Sequence, residues 1–290
     1  MTVWSNSTYS EDAKKMSYTL SKVDQDKLVY NDKYTRRVDK SQIPTCRIMG
    51  CEILDADMEW LIKFIEKNIK DLSGDYITIS ATKELVMASE DKGFYLCQNG
   101  GVLAIPDGGP LKTYGKLHGH KGMTRITGPD LMLELFKVSE KNGWRHYFYG
   151  TTQDTLDKMT SKLKKEYPGL QVAGTHPSMF RNLTPEEDEA VVEEINASEP
   201  DFVWFSLGAP KGNYFAADHQ GVIKGLMLSV GAGFDYYAEN IKRAPTWMQK
   251  ADLEWLYRII QDPKRLAKRY FVTIPKFLSR AYLGKKDTGD

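Results

Sequence analysis

Between positions 76 and 235 the chain repeats one pattern: a short apolar run, a turn of glycine or hydroxyl residues, then a polar stretch with helical spacing. The main runs are Tyr76–Ser80, Val102–Ile105, Trp144–Tyr149, Phe202–Leu207 and Leu226–Val230, with a shorter one at Gln171–Gly174. Helical patterns fall between them at Lys83–Asp91, Pro129–Asn142, Leu156–Tyr167 and Pro185–Ala197. Strands that alternate with helices pair in parallel, because each crossover helix returns the chain to the same end of the sheet. The predicted fold class is therefore α/β, a Rossmann-like parallel sheet with helices on both faces.

The margins of this pattern differ from its centre. Residues 1–45 are rich in Ser, Lys, Asp and Tyr without an apolar period, which predicts a polar, loosely packed extension. Residues 46–240 hold the α/β pattern, opening with a strand pair over Arg47–Leu54 and a helix whose apolar face is Met58, Leu61, Ile62 and Ile65. Residues 241–290 carry twelve Lys or Arg against five Asp or Glu, whereas residues 1–240 carry twenty-eight against thirty-four. A formal net charge of +1 thus hides a basic tail on an acidic body, and such a tail suits a phosphate-bearing or anionic-surface partner. Nothing in the pattern points to nucleic acid.

No apolar run approaches the roughly 18 residues that span a bilayer. The first thirty residues lack the basic-then-apolar order of a signal peptide, so a cytoplasmic location is expected. Cys46, Cys51 and Cys97 are sparse and lack zinc-finger spacing, and are expected to be reduced thiols. Asp55-Ala-Asp57 has the look of a metal-binding Asp-x-Asp, but its place before Met58 fits helix capping better. His118-Gly-His120 has no neighbouring carboxylate or thiol at ligand spacing, so no metal is expected there.

In open parallel sheets ligands bind beyond the carboxyl ends of the strands. Those ends carry Thr78 and Ser80, then Asp107-Gly108-Gly109, Gly150-Thr151-Thr152, Gly208-Ala-Pro-Lys211 and Gly231-Ala-Gly-Phe-Asp235. Glycine there lets backbone N–H groups approach phosphate or sugar oxygens, and the following helix start favours negative charge. A nicotinamide cofactor fits poorly, because Gly231-Ala-Gly233 lacks the third glycine and comes late in the chain. No Walker loop and no Gly-x-Ser-x-Gly is present. Asp107, between a proline and two glycines, is the candidate general base; the plainer alternative is an aspartate that caps its own turn. In the tail, Asp262 and Pro263 open a helix on which Arg265, Lys268 and Arg269 share a face beside Leu266, Tyr270 and Phe271. That face suits anionic lipid or a diphosphate.

Several stretches follow one another along the chain: Thr124-Arg-Ile-Thr-Gly-Pro-Asp-Leu131, Pro200-Asp-Phe-Val-Trp-Phe-Ser-Leu-Gly-Ala-Pro-Lys211, Gly231-Ala-Gly-Phe-Asp235, Lys242-Arg-Ala-Pro-Thr-Trp-Met-Gln-Lys250, Leu253-Glu-Trp-Leu-Tyr-Arg258 and Asp262-Pro-Lys-Arg-Leu-Ala-Lys-Arg-Tyr270. Together they resemble the WecG/TagA/CpsF family of bacterial glycosyltransferases over roughly residues 46–280. The resemblance implies an inverting, metal-independent enzyme without a cofactor. It would move a sugar such as N-acetylmannosamine from a UDP-sugar to a polyprenyl-diphosphate-linked glycan, at the inner face of the cell membrane, for a surface polysaccharide or teichoic acid. It also implies self-association of unspecified number. By the same resemblance the catalytic aspartate falls on Asp107 and a pocket threonine on Thr78. The strand-end turns themselves offer Ser80, Gly108, Gly150, Gly208, Lys211 and Asn213 as nucleotide or sugar contacts; the resemblance adds Asp235 to these and puts diphosphate contacts on Arg258, Arg265 and Arg269, with Lys268 where arginine is usual. The tail is expected to close over the site when membrane or acceptor is present. Two departures bear on the donor sugar: Ser80 stands where the family has Asn, and Gly212-Asn213 where it has Gln-Glu. They leave a non-catalytic nucleotide-sugar sensor as the alternative reading.

Overall fold

The computed structural model describes residues 34–283; the polar stretch 1–33, residues 284–290 and the side chain of Arg265 lie outside the described residues. An eight-stranded sheet forms the centre, in the order β1-β2-β4-β3-β8-β7-β5-β6. Strands β1 (Thr45–Ile48) and β2 (Cys51–Leu54) form the antiparallel hairpin expected at the start of the pattern. Every other pairing is parallel, through β3 (Tyr76–Ser80), β4 (Leu103–Pro106), β5 (Arg145–Gly150), β6 (Gln171–His176), β7 (Phe202–Ser206) and β8 (Leu226–Ser229).

Period-two alternation divides the strands between two helical layers. Along β7, Phe202 and Trp204 enter a cluster with Leu131, Leu135 and Phe136 of α5 (Gly128–Asn142), and with Leu156 and Met159 of α6 (Gln153–Glu166). The alternate residues Val203 and Phe205 enter the opposite layer, against Val191 and Ile195 of α7 (Pro185–Ala197) and Phe215 of α8 (Lys211–Asp218). Helix α1 (Met58–Asn68) covers the first layer, with Leu61 and Ile65 fully buried. Helices α2 (Thr82–Glu90), α3 (Lys92–Gly100) and α4 (Gly109–Leu117) cover the second. Asp57 does cap α1, accepting from the Trp60 N–H at 2.9 Å. Periodicity missed α3, α4 and α8, which are short and carry glycines that weaken the helical signal.

Residues 34–44, expected to pack loosely, are instead fastened to the amino ends of the strands. Arg36 forms an ion pair with buried Asp75 and donates to the Gly100 carbonyl, and Lys40 donates to the carbonyls of Asn99 and Gly101. Composition could not reveal this, because the anchoring acceptors are backbone carbonyls and one distant carboxylate. The cysteines are reduced and buried.

After β8 come α9 (Gly233–Tyr237), α10 (Thr246–Lys250), α11 (Glu254–Gln261) and α12 (Pro263–Leu278). The tail packs on the body. Phe277 is fully buried in a cluster with Leu85, Ala88 and Leu111, while Lys276 and Arg280 pair with Glu90, each at 2.7 Å. Exposed pairs of that kind contribute at most about 1 kcal/mol each, so the buried ring dominates. Phe277→Ala should therefore cost about 3 kcal/mol in chemical denaturation and expose the tail to protease, where Lys276→Ala should cost under about 1 kcal/mol. Equal losses from the two variants would contradict this ranking.

Candidate active site

The chain leaves β3 into α2 on one face of the sheet and leaves β8 into α9 on the other, so a crevice opens between these neighbouring strands at their carboxyl ends. Asp107 stands at its wall, one residue past β4, with its N–H bonded to the Ser80 carbonyl at 2.8 Å. Its side chain keeps 34 % exposure while protein crowds it on the remaining sides. Burial pushes the carboxyl up to about 6, partly opposed by Arg125 and Arg258 and aided by Glu254 and Glu84. A carboxyl that loses its proton near neutrality is suited to general-base work.

Arg125 was quoted in the sequence only as part of a motif, yet it organises the site. Its Nε donates to the Asp107 carbonyl at 2.7 Å, and its Nη2 donates to Glu254 at 2.7 Å while lying 3.9 Å from the Asp107 carboxylate. Glu254, at the start of α11, is 7 % exposed and also accepts from Arg243 at 3.4 Å. Arg243 in turn donates to both Asp130 oxygens, at 2.6 and 3.0 Å. Asp130 belongs to the first turn of α5, where Thr127 caps the helix. This alternating chain of charge clasps the tail over the crevice. One turn along α11, Arg258 acts on Asp107 and lies 5.8 Å from the centre of the Tyr236 ring.

The other expected residues are distributed unevenly. Thr78 and Ser80 are 2 % and 0 % exposed, on the layer beneath α3, where Gln98 Nε2 donates to both hydroxyls. They therefore form the floor under Asp107 and not its surface. Gly108 lies against Ala81, its nearest approach 3.6 Å from an added Cβ. Gly150 has φ +116°, and a Cβ there would meet the Ser206 backbone at 2.9 Å, so only glycine fits. Gly208 and Gly231 take positive φ and have no atom within 4 Å of where a Cβ would project. Lys211 is engaged, donating to the Arg181 carbonyl at 2.8 Å. Gly212 backs onto Ser229, whose Oγ would lie 2.3 Å from an added Cβ, and Asn213 is buried beside it on α8. Asp235 is raised by burial and held by Asn240, which also donates to Thr155 on α6 at 2.8 Å. Of the tail cations, Arg258 bears electrostatically on Asp107. Lys268 is exposed on α12, and Arg269 lies 5.1 Å from the Tyr270 ring centre. The side chain of Arg265 is outside the described residues.

His118 bonds the Tyr114 carbonyl and His120 bonds Asp55, both at 2.8 Å, so the two rings serve separate turns. Among the described residues no three His, Cys, Asp or Glu side chains form a group that could hold a metal ion. No described helix is long and apolar enough to cross a membrane.

Comparison with known proteins agrees with this arrangement. The model of the glycosyl transferase WecG/TagA/CpsF family matches residues 46–289. An N-acetylglucosaminyldiphosphoundecaprenol N-acetyl-beta-D-mannosaminyltransferase of Bacillus subtilis (strain 168) is 27 % identical over 226 residues, covering 77 % of this chain and 86 % of its own. The protein of the same description from Bacillus spizizenii (strain ATCC 23059 / NRRL B-14472 / W23) is 25 % identical over 230 residues, covering 79 % and 87 %. A family match from the first strand through the docked tail, over a fold with a carboxylate and arginines at the strand-end crevice, settles the assignment: this chain is a glycosyltransferase and belongs to the WecG/TagA/CpsF family.

Proposed function

We propose that the enzyme transfers N-acetylmannosamine, or a closely related sugar, from a UDP-sugar to a polyprenyl-diphosphate-linked N-acetylglucosamine acceptor, with inversion and without a metal. The observation that carries this reading is Asp107, a crowded but solvent-reached carboxyl held up near 6 and faced by two arginines. The relatives' printed activity supplies the acceptor class.

In this mechanism Asp107 accepts the proton of the acceptor hydroxyl, and the resulting oxygen nucleophile attacks the anomeric carbon opposite the departing UDP. The C–O bond to the diphosphate breaks as the new glycosidic bond forms, which inverts the centre. Negative charge grows on the diphosphate, and a preorganised cation there lowers the barrier. Arg258 is the described tail cation closest in action to the base, and Arg265, Lys268 and Arg269 extend the basic character along α12. Asp235, held by Asn240, serves the nucleoside side in this reading. Thr78 and Ser80 support the strand end from below, and Gly208 and Gly231 offer open backbone to phosphate or sugar oxygens. Ser229 occupies the space that any side chain at 212 would need, and in this reading the altered Gly212-Asn213 pair shapes the donor pocket.

The tail also supports a peripheral position at the inner face of the membrane. It exposes Trp247, Ile260 and Phe271, the last at 79 %, among Lys264 and Lys268. Apolar side chains interleaved with lysine bind anionic lipid through combined burial and charge.

Asp107→Asn should abolish transfer while leaving UDP affinity within about twofold, measured by UDP release and by calorimetry. Full transfer in that variant would remove Asp107 from the base role. In the unaltered enzyme the deprotonated base accumulates as pH rises, so kcat/KM should climb tenfold per unit below about pH 6 and level off above it. Phe271→Ser should weaken binding to anionic vesicles about tenfold in flotation, the weight of roughly 1.4 kcal/mol of lost burial. Unchanged flotation would count against the membrane face assigned here.

A further inference from the structure

One of the two terminal nitrogens of Arg125, Nη2, stands between two carboxylates. Its Nε bond to the Asp107 carbonyl, 2.7 Å, fixes the guanidinium beside that residue. Nη2 then has a choice between Glu254, now at 2.7 Å, and the Asp107 carboxylate, now at 3.9 Å and beyond hydrogen-bond reach. Glu254 wins because it comes in on α11 already braced by Arg243, which is itself held by Asp130. All of Glu254's contacts with Arg125 depend on the tail being docked, since residues 125 and 254 lie on separate parts of the chain.

We infer that Glu254 is a positioning residue that draws the Arg125 guanidinium away from the Asp107 carboxylate, so that the base is free to take a proton only while the tail is docked. The inference rests on the reading of Asp107 as the base. Without Glu254, the Asp107 carboxylate, 3.9 Å away, is left facing Nη2. A direct ion pair there would stabilise the carboxylate and make it a weaker base. Docking of the tail thereby switches on chemistry, in addition to supplying cations for the diphosphate.

The charges around this pair come from several elements. Asp107 faces Arg125, Arg258 and Glu254, and Glu84 from α2. Arg125 also feels Asp252, which is paired with Lys112 of α4, and Glu84 has Lys83 within 3.9 Å. Removing Glu254 lowers the proton affinity of Asp107 by two routes of one sign: a like charge disappears, and Arg125 moves in. If the tail loosens as well, the greater access of water lowers it further. Removing Arg258, on the same helix, acts oppositely because a facing cation is lost.

The test is a ¹³C NMR titration of the aspartate carboxyls in the full chain, with Asp107→Asn identifying the signal, run beside the pH profile of kcat/KM. Glu254→Gln should move the Asp107 titration and the kinetic limb down by about one pH unit, a tenfold change in proton affinity. Arg258→Gln should move the titration up by about half a unit. Should Glu254→Gln not fold, Glu254→Asp keeps the charge but withdraws it by one methylene, and should give a smaller shift of the same downward sign. An unmoved or raised Asp107 titration in the Glu254 variant overturns the inference, as does a downward shift in both the Glu254 and Arg258 variants, which would mark general loosening. The titration needs no turnover. Failure of the base reading, seen as full activity in Asp107→Asn, is therefore distinguishable from failure of this inference.

Discussion

The ion pair between Arg125 and Glu254 joins the middle of the chain to its tail. A guanidinium buried beside a working carboxylate would ordinarily pair with it, and a carboxylate so paired is a poor base. Placing a second carboxylate on the far side of the arginine changes the competition, at the cost of burying more charge. Removing one partner of such a chain leaves an uncompensated buried charge, which is why the tail does not lie on the body as a loosely attached segment. The hydrophobic anchor at Phe277 and the ionic clasp at Glu254 hold opposite ends of the same appendage.

The crevice itself is a product of topology. A right-handed parallel sheet sends consecutive crossovers to one face until the order reverses, and the reversal here falls between β3 and β8. The glycines at 208 and 231 keep side chains out of that gap, and Gly150 allows β5 and β7 to approach at their ends. Ser229 on β8 fills the space behind Gly212 on α8, so the two residues fit together only while position 212 carries no side chain.

The sheet, most of its helices and Asp107 were legible in the sequence because they rest on local signals: apolar period, capping residues and a Pro-Asp-Gly turn. Helices α3, α4 and α8 were not, since packing stabilises them against weak propensity. The role of Arg125 was also hidden, although the residue lay inside a quoted motif. An arginine in a loop has no periodicity, and its partner lies 129 positions away. Thr78 and Ser80 show a different limit of the sequence. They sit at a strand end, as expected, but strand alternation turns their hydroxyls into the layer shared with Gln98.

The strap of residues 34–44 closes the amino ends of the strands, the side of the sheet remote from Asp107. Arg36 and Lys40 draw together the turns that precede β3 and β4, and Tyr34 lies against Gly74 and Gly221. The strap and the tail thus bind opposite ends of one sheet. A fluorophore or surface tether attached within the strap would hold the enzyme by its back, leaving the tail and the mouth of the crevice unobstructed.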